Sequence, residues 1–371
     1  MTARRLQAIF HVRSEPASVE SRARAIATEQ SVEMPLSAID DPAILQDIAG
    51  TVEGIEDLGR GLFDVRIGLA TETIGADAGQ LLNMAFGNTS LHEDVVLYDL
   101  VLPDELEEAF GGPRHGLPGL RALVGATDRA LTGSALKPQG LPPERLAELA
   151  GRFARGRVDF IKDDHGIADQ PYSRFAERVP AIAASVRRTA QASGHPTRYV
   201  PSLSGNLDQM QRQVHLAREE GLAAVLIAPM IAGVSTLQAL VGAWPEIAFL
   251  AHPTLAGAGR ISPPLLIGKL FRLFGADGVI FPNFGGRFGY SPETCRRLAA
   301  NATAANARLR ASVPIPAGGM TIERVPEILE FYGTDAMLLL GGSLLEARGK
   351  LTEATLAFTE AVARYPGELA R

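Results

Sequence analysis

Between residues 132 and 342 the chain repeats one pattern eight times: a short apolar run of strand character, then a stretch of helical character. The runs are TGSALKP, VDFIKDD, RYVPSLS, AAVLIAPM, IAFLAH, GVIFPN, PIPAGG and AMLLLGG. Between them lie amphipathic segments such as PPERLAELAGRFARG, DQMQRQVHLAREEG, PPLLIGKLFRLFG and TIERVPEILEFYG, whose apolar residues recur at helical spacing. Eight strands, each followed by a helix, over about 220 residues are what a (β/α)8 barrel requires. A doubly wound open sheet is the competing architecture. The count of eight and the polar residues gathered at strand ends favour the barrel.

The first 120 or so residues read differently, as mixed α and β. RLQAIFHVR, GLFDVRIGLAT and VVLYDLVLP have strand character, while SVESRARAIATEQ, opened by a Ser cap, and ADAGQLLNMAF have helical character. GGPRHGLPG, at residues 111–119, is dense in Gly and Pro and reads as a linker. The expected organisation is a small α+β domain over 1–120 and a TIM barrel with C-terminal helices over 121–371.

Composition narrows the function. A net charge of -6 and a pI near 5.7 argue against nucleic acid or an anionic membrane as the main partner, yet leave room for a local anion site. One cysteine, Cys295, excludes an internal disulfide and fits a reducing compartment. The longest apolar stretch, AAVLIAPMIAG, is broken by Pro229 and is too short to span a bilayer. The chain reads as cytoplasmic.

In a barrel of this kind the chemistry sits at the C-terminal ends of the strands. Those ends present Lys137, then Lys162, Asp164 and His165, then Ser202 and Ser204, then His252, Asn283, the Gly318–Gly319 pair and the Gly341–Gly342 pair. The period of a strand puts Lys162 and Asp164 on one side and Asp163 on the other. Carboxylates at a strand end hold a hard cation such as Mg²⁺; the plainer alternative is a solvated salt-bridge cluster. An ammonium cannot ligate a metal, so Lys162 in a metal site must be neutral, modified or paired. Glycine loops after the seventh and eighth strands form a phosphate site, because backbone N–H groups there meet no Cβ; otherwise they serve tight turns. Lys137 is a candidate acid or base, and His252 a candidate proton shuttle or phosphate donor. FPNFGGRFGY, at 281–290, is a glycine-rich aromatic loop from which Arg287 could reach an anion.

RVDFIKDDHGIADQPYSRF resembles the segment around the activating lysine of the RuBisCO large chain and its RuBisCO-like relatives, a motif that reads Asp-Phe-x-Lys-Asp-Asp-Glu followed by Gln-Pro-Phe. GSALKPQGL resembles the Lys-Pro-Lys segment of the first strand, and PIPAGG, LLLGG and LLNMAFGNTSL resemble further motifs of the same family in the same order. The resemblance implies an α+β domain before the barrel and active sites at a homodimer interface, where Glu29 and Asn88 of the partner subunit's N-terminal domain complete each site. It implies that Lys162 is carbamylated by CO2 and, with Asp164 and the residue at 165, ligates Mg²⁺.

Several positions depart from the family pattern. His165 stands where a second carboxylate ligand is expected, and imidazole suits Mn²⁺ or Zn²⁺ better. Gln139 replaces the second lysine, Met34 and Pro35 replace a Thr-Trp pair, and Pro253 and Ile280 replace an Arg and a His that hold one phosphate. Ala317 precedes the Gly-Gly pair, and Arg287 is the nearest cation to a missing loop-six lysine. One phosphate site thus loses its cations while the Gly-Gly site stays. The expectation is a RuBisCO-like enzyme that enolises a sugar monophosphate or sugar-acid phosphate, as isomerase, enolase or decarboxylase, without fixing CO2. Two rivals remain: a non-catalytic, metal-free barrel that binds a phosphate ligand, and a sugar-phosphate aldolase using a Schiff-base lysine.

Overall fold

The computed structural model describes residues 4–365. The chain divides into two compact units, Met1–Gly112 with Leu255–Leu266, and Pro113–Thr254 with Ile267–Arg371.

The first unit is built on a four-stranded sheet of order β2-β3-β1-β4, formed by β1 (Arg5–Arg13), β2 (Thr51–Gly59), β3 (Leu62–Ala70) and β4 (Val95–Val101). In β1 the alternate residues Leu6, Ala8, Phe10 and Val12 are fully buried, the period-2 signature of a strand with one covered face. The helix Val19–Glu29 starts at Ser18, although the Ser18 side chain makes no capping hydrogen bond. The helix Ala78–Phe86 is capped by Asp77, whose carboxylate accepts the Gln80 N–H. Residues 255–266, distant in sequence, reach β4: Leu97 N–H donates to the Arg260 carbonyl and Ser262 N–H to that of Leu97.

The second unit is the expected barrel. Its strands are β5 (Leu131–Leu136), β6 (Phe160–Asp163), β7 (Arg198–Val200), β8 (Ala224–Ile227), β9 (Ala248–Ala251), β10 (Gly278–Pro282), β11 (Val313–Ala317) and β12 (Met337–Leu339). They form one sheet of order β7-β6-β5-β12-β11-β10-β9-β8 with parallel pairing. A parallel bridge between Ser202 and Leu226 joins the two ends, so no edge stays open there.

Apolar strand residues, among them Phe160, Val200, Leu250, Ile315 and Leu339, make one core with Leu117, Leu120 and Val124. Those last three belong to a helix, Gly116–Val124, that begins inside the segment read as a linker. Its start is fixed from far away: the buried Asp277 carboxylate accepts the His115 and Gly116 N–H groups, both at 2.7 Å. Among the described residues no helix is long and apolar enough to cross a membrane.

Candidate active site

Register places the chemistry. β5 and β6 pair Ala135 with Lys162 and Leu136 with Asp163, so Lys137 and Asp164, the next residues on each strand, meet at the C-terminal rim. Lys137 Nζ lies 2.7 Å from Asp164 Oδ1, and His165 Nδ1 lies 3.4 Å from the same oxygen. Lys162 is buried, its Nζ donating to the Asp163 carbonyl at 3.0 Å.

The two neighbouring carboxylates have separate roles. Asp163 points away from the site, as the strand period predicts, and is fully buried. It accepts from Tyr199 Oη at 2.8 Å, from Arg178 Nε at 3.2 Å and from the Ser202 N–H at 3.1 Å. Arg178 in turn donates to the carbonyls of Ala168 and Ser173, which fastens the loop after β6. Asp163 is therefore committed to structure, and Asp164 is the carboxylate that faces the rim.

Charge and burial tune these groups in opposite directions. Burial, reinforced by the Lys137 charge, lowers the Lys162 pKa to about 8 against the pull of Asp164 and Asp163. Burial by itself would raise Asp164, but the hydrogen bonds from His165 and Lys137 and the charges of both lysines outweigh it and hold this carboxyl far below the usual range. His252, after β9, is pushed well below its ordinary value by burial and then by the Lys162 charge, so its imidazole is neutral. The His165 and His252 rings stack with centroids 4.3 Å apart and planes 14° from parallel.

The glycine loops lie on the same rim. Gly318 and Gly319 take φ of +82° and +74°, a left-handed pair that glycine adopts without strain. The loop after β10 packs on them backbone to backbone: a Cβ on Gly286 would collide with the Gly318 carbonyl, and one on Gly319 would stand 2.9 Å from Gly286 Cα. Ser343 Oγ donates to the Met320 carbonyl at 2.7 Å, tying the loop after β12 to the loop after β11. A Cβ on Gly341 would come 4.0 Å from Lys137 Cε, and Gly342 opens the helix Gly342–Leu345. The glycine loops and the lysine–aspartate group are thus neighbours. Arg287 is exposed, with its guanidinium over the Phe288 ring at 5.5 Å.

In the first unit Asn88 Nδ2 donates to Glu29 Oε1 at 2.9 Å and to Glu33 Oε1 at 2.8 Å. Buried Gln30 aligns them, accepting the Thr89 N–H and donating to the carbonyls of Asn83 and Met84. Thr254, not among the residues expected from the sequence, folds back on His252: its Oγ1 is 2.6 Å from His252 Nδ1. The turn-forming triplet His-Pro-Thr was the available signal.

The catalytic domain of the ribulose bisphosphate carboxylase large chain matches residues 116–352. The chain belongs to the RuBisCO large-chain family. Within it, the chain is 59% identical to a 5-methylthioribulose-1-phosphate isomerase of Rhodospirillum rubrum over 360 residues, 97% of this chain and 96% of that protein. It is 32% identical to a 2,3-diketo-5-methylthiopentyl-1-phosphate enolase of Geobacillus thermodenitrificans over 317 residues, 80% and 76% of the two chains. The crystal structure of a RuBisCO-like protein from Rhodopseudomonas palustris superposes with a TM-score of 0.92 at 50% identity, covering 98% of this chain and 99% of that one. In this chain His165 stands beside Asp164, and Ile280 is buried in the barrel core.

Proposed function

We propose that the protein is a metal-assisted isomerase or enolase of a phosphorylated keto sugar of the 5-methylthioribulose 1-phosphate kind, and that it does not fix CO2. The observation that carries this reading is the convergence of Lys137, Lys162 and Asp164 beside the glycine loops of β11 and β12. The identity to a named isomerase supports the substrate class.

Among the described residues no group of three or more His, Cys, Asp or Glu side chains could hold a metal ion. Lys162 would add an oxygen ligand beside Asp164 only as a carbamate. The residues fit that requirement. A buried amine whose pKa is lowered to about 8 has a reactive neutral fraction at neutral pH, and CO2 adds to neutral amines. The resulting carbamate, the ionised Asp164 and the His165 imidazole would hold Mg²⁺, with Mn²⁺ or Zn²⁺ favoured by the nitrogen donor. When bound, the ion would polarise the substrate ketone and acidify the neighbouring C–H.

The chain's own groups supply the rest. Gly318, Gly319, Gly341 and Gly342 offer backbone N–H groups to the single phosphate. Lys137, between Asp164 and Gly341, is placed to take the proton from carbon as a neutral amine, its own proton having passed to solvent, and to return it to the adjacent position from the ammonium so formed. His252 donates a hydrogen bond as a neutral imidazole. In the same reading a homodimer forms, and Glu29 and Asn88 of one copy complete the site of the other. Mixing Glu29→Ala with Lys162→Ala protein then restores about a quarter of wild-type activity, because half of randomly assorted dimers carry one intact shared site. The buried free thiol Cys295 supports a cytoplasmic setting.

A second reading, a metal-free barrel that binds a phosphorylated ligand without turning it over, draws on the Lys137–Asp164 pair, since Lys137 already satisfies the oxygen a cation would need. Phosphorus NMR separates the two. With Mg²⁺ and bicarbonate the first reading predicts conversion of 5-methylthioribulose 1-phosphate to a second sugar phosphate, stopped by EDTA. Binding without conversion by folded protein overturns it.

A further inference from the structure

His252 has two ring nitrogens in different surroundings. Nδ1 receives the Thr254 backbone N–H at 3.3 Å and lies 2.6 Å from Thr254 Oγ1. A backbone N–H can only donate, so Nδ1 must offer a lone pair to it, and the Thr254 hydroxyl then donates to the same atom. The proton of the neutral ring is left on Nε2. Nε2 is not among the buried polar atoms that lack a partner, and no hydrogen bond to it is formed among the described residues. The His165 imidazole stacks on the ring face at 4.3 Å and restrains the flip that would carry Nδ1 away from Thr254.

We propose that Thr254 is the positioning residue that fixes the His252 tautomer, so that Nε2–H is presented at the barrel mouth as a hydrogen-bond donor to the substrate carbonyl oxygen. A neutral imidazole in that role polarises a carbonyl as its α-proton leaves, and it gains most where negative charge develops on oxygen. The assignment divides the work of the site: His252 steadies oxygen, and Lys137 handles the carbon-bound proton. It rests on the enolisation reading for its substrate, but the tautomer is a property of the free protein.

The test combines Thr254→Val, which keeps the shape and loses the hydroxyl, with Thr254→Ser, which keeps the hydroxyl. Protein labelled with ¹⁵N-histidine, with His252 assigned by comparison with His252→Asn, reads the tautomer directly by NMR. The expected wild-type spectrum shows Nδ1 unprotonated and Nε2 protonated. Thr254→Val loses the 2.6 Å hydroxyl donor and keeps only the longer backbone N–H at 3.3 Å, so it gives mixed tautomers and a kcat lower by about 10–100-fold with KM changed far less, the scale of losing an orienting partner, and Thr254→Ser stays near wild type on both. A wild-type ring protonated on Nδ1, or a Thr254→Val protein with unchanged tautomer and kcat, overturns the proposal. If no sugar phosphate is turned over at all, the enolisation reading fails while the spectrum still decides the tautomer.

Discussion

One oxygen of Asp164 serves two neighbours: Lys137 Nζ at 2.7 Å and His165 Nδ1 at 3.4 Å. The carboxylate is the hub on which the candidate base, the candidate third ligand and the buried Lys162 all depend. Asp164→Asn keeps the shape and removes the charge. It is expected to abolish divalent-metal binding by titration calorimetry and to lower kcat by about 10²–10⁴-fold, the range of an acid–base pair disrupted in place. Metal binding unchanged in this variant would remove Asp164 from the ligand set.

Lys162 carries a pH prediction. Its folded pKa is lowered to about 8 by burial, so the ammonium is lost as pH rises through 8, and about a tenth of the amine is already neutral at pH 7. The rate of carbamate formation at a fixed concentration of dissolved ¹³CO2, followed by ¹³C NMR, should therefore climb from pH 7 to pH 9 and level above. Lys162→Met should show no carbamate signal and no metal-dependent turnover.

His165 sets the metal preference. A nitrogen donor in place of a second carboxylate weakens a Mg²⁺ site more than a Mn²⁺ site. His165→Glu is expected to raise the affinity for Mg²⁺ relative to Mn²⁺ by about tenfold, the order of effect seen when a ligand shell is altered. An unchanged ratio would show that His165 does not ligate.

The opposite end of the barrel tests stability. Asp159 is fully buried and takes both Arg129 Nη groups at 2.7 and 2.8 Å, the Thr132 N–H and hydroxyl at 2.8 Å, and lies 3.3 Å from His195 Nε2. Asp159→Ala strands the Arg129 charge and should cost about 3–5 kcal/mol in urea unfolding. Burial would raise this carboxyl, but Arg129 and His195 hold it below its ordinary 3.8. Its contribution is thus fully present above that value and fades as pH falls through the lower folded pKa. A variant as stable as wild type would contradict the account of this cluster.

The barrel was legible because most of its strands are short, largely apolar buried runs that recur at regular spacing and need no partner to be seen. β2 was not: TVEGIEDLG is polar and mostly exposed along the sheet edge, and only its pairing with β3 declares it. The positive φ values at Gly59, Arg60 and Gly61 mark the hairpin turn that Gly-Arg-Gly could have signalled. The start of the helix Gly116–Val124 was hidden for a different reason, since the carboxylate that fixes it comes from Asp277. In the site, strand alternation correctly separated Asp163 from Asp164. What the sequence could not show was distance: that Lys137 pairs with Asp164, that Gly341 lies beside Lys137, and that Thr254 turns back on His252.

The proposed chemistry is enolisation at a carbon next to a ketone. Incubating the protein with 5-methylthioribulose 1-phosphate in D2O, with Mg²⁺ or Mn²⁺ and bicarbonate, and following the sugar protons by ¹H NMR tests it directly. Enolisation removes a carbon-bound proton signal or moves it to a neighbouring carbon in a new sugar phosphate, and neither change occurs in Lys162→Met. An unchanged proton spectrum from folded, metal-loaded wild-type protein would contradict it.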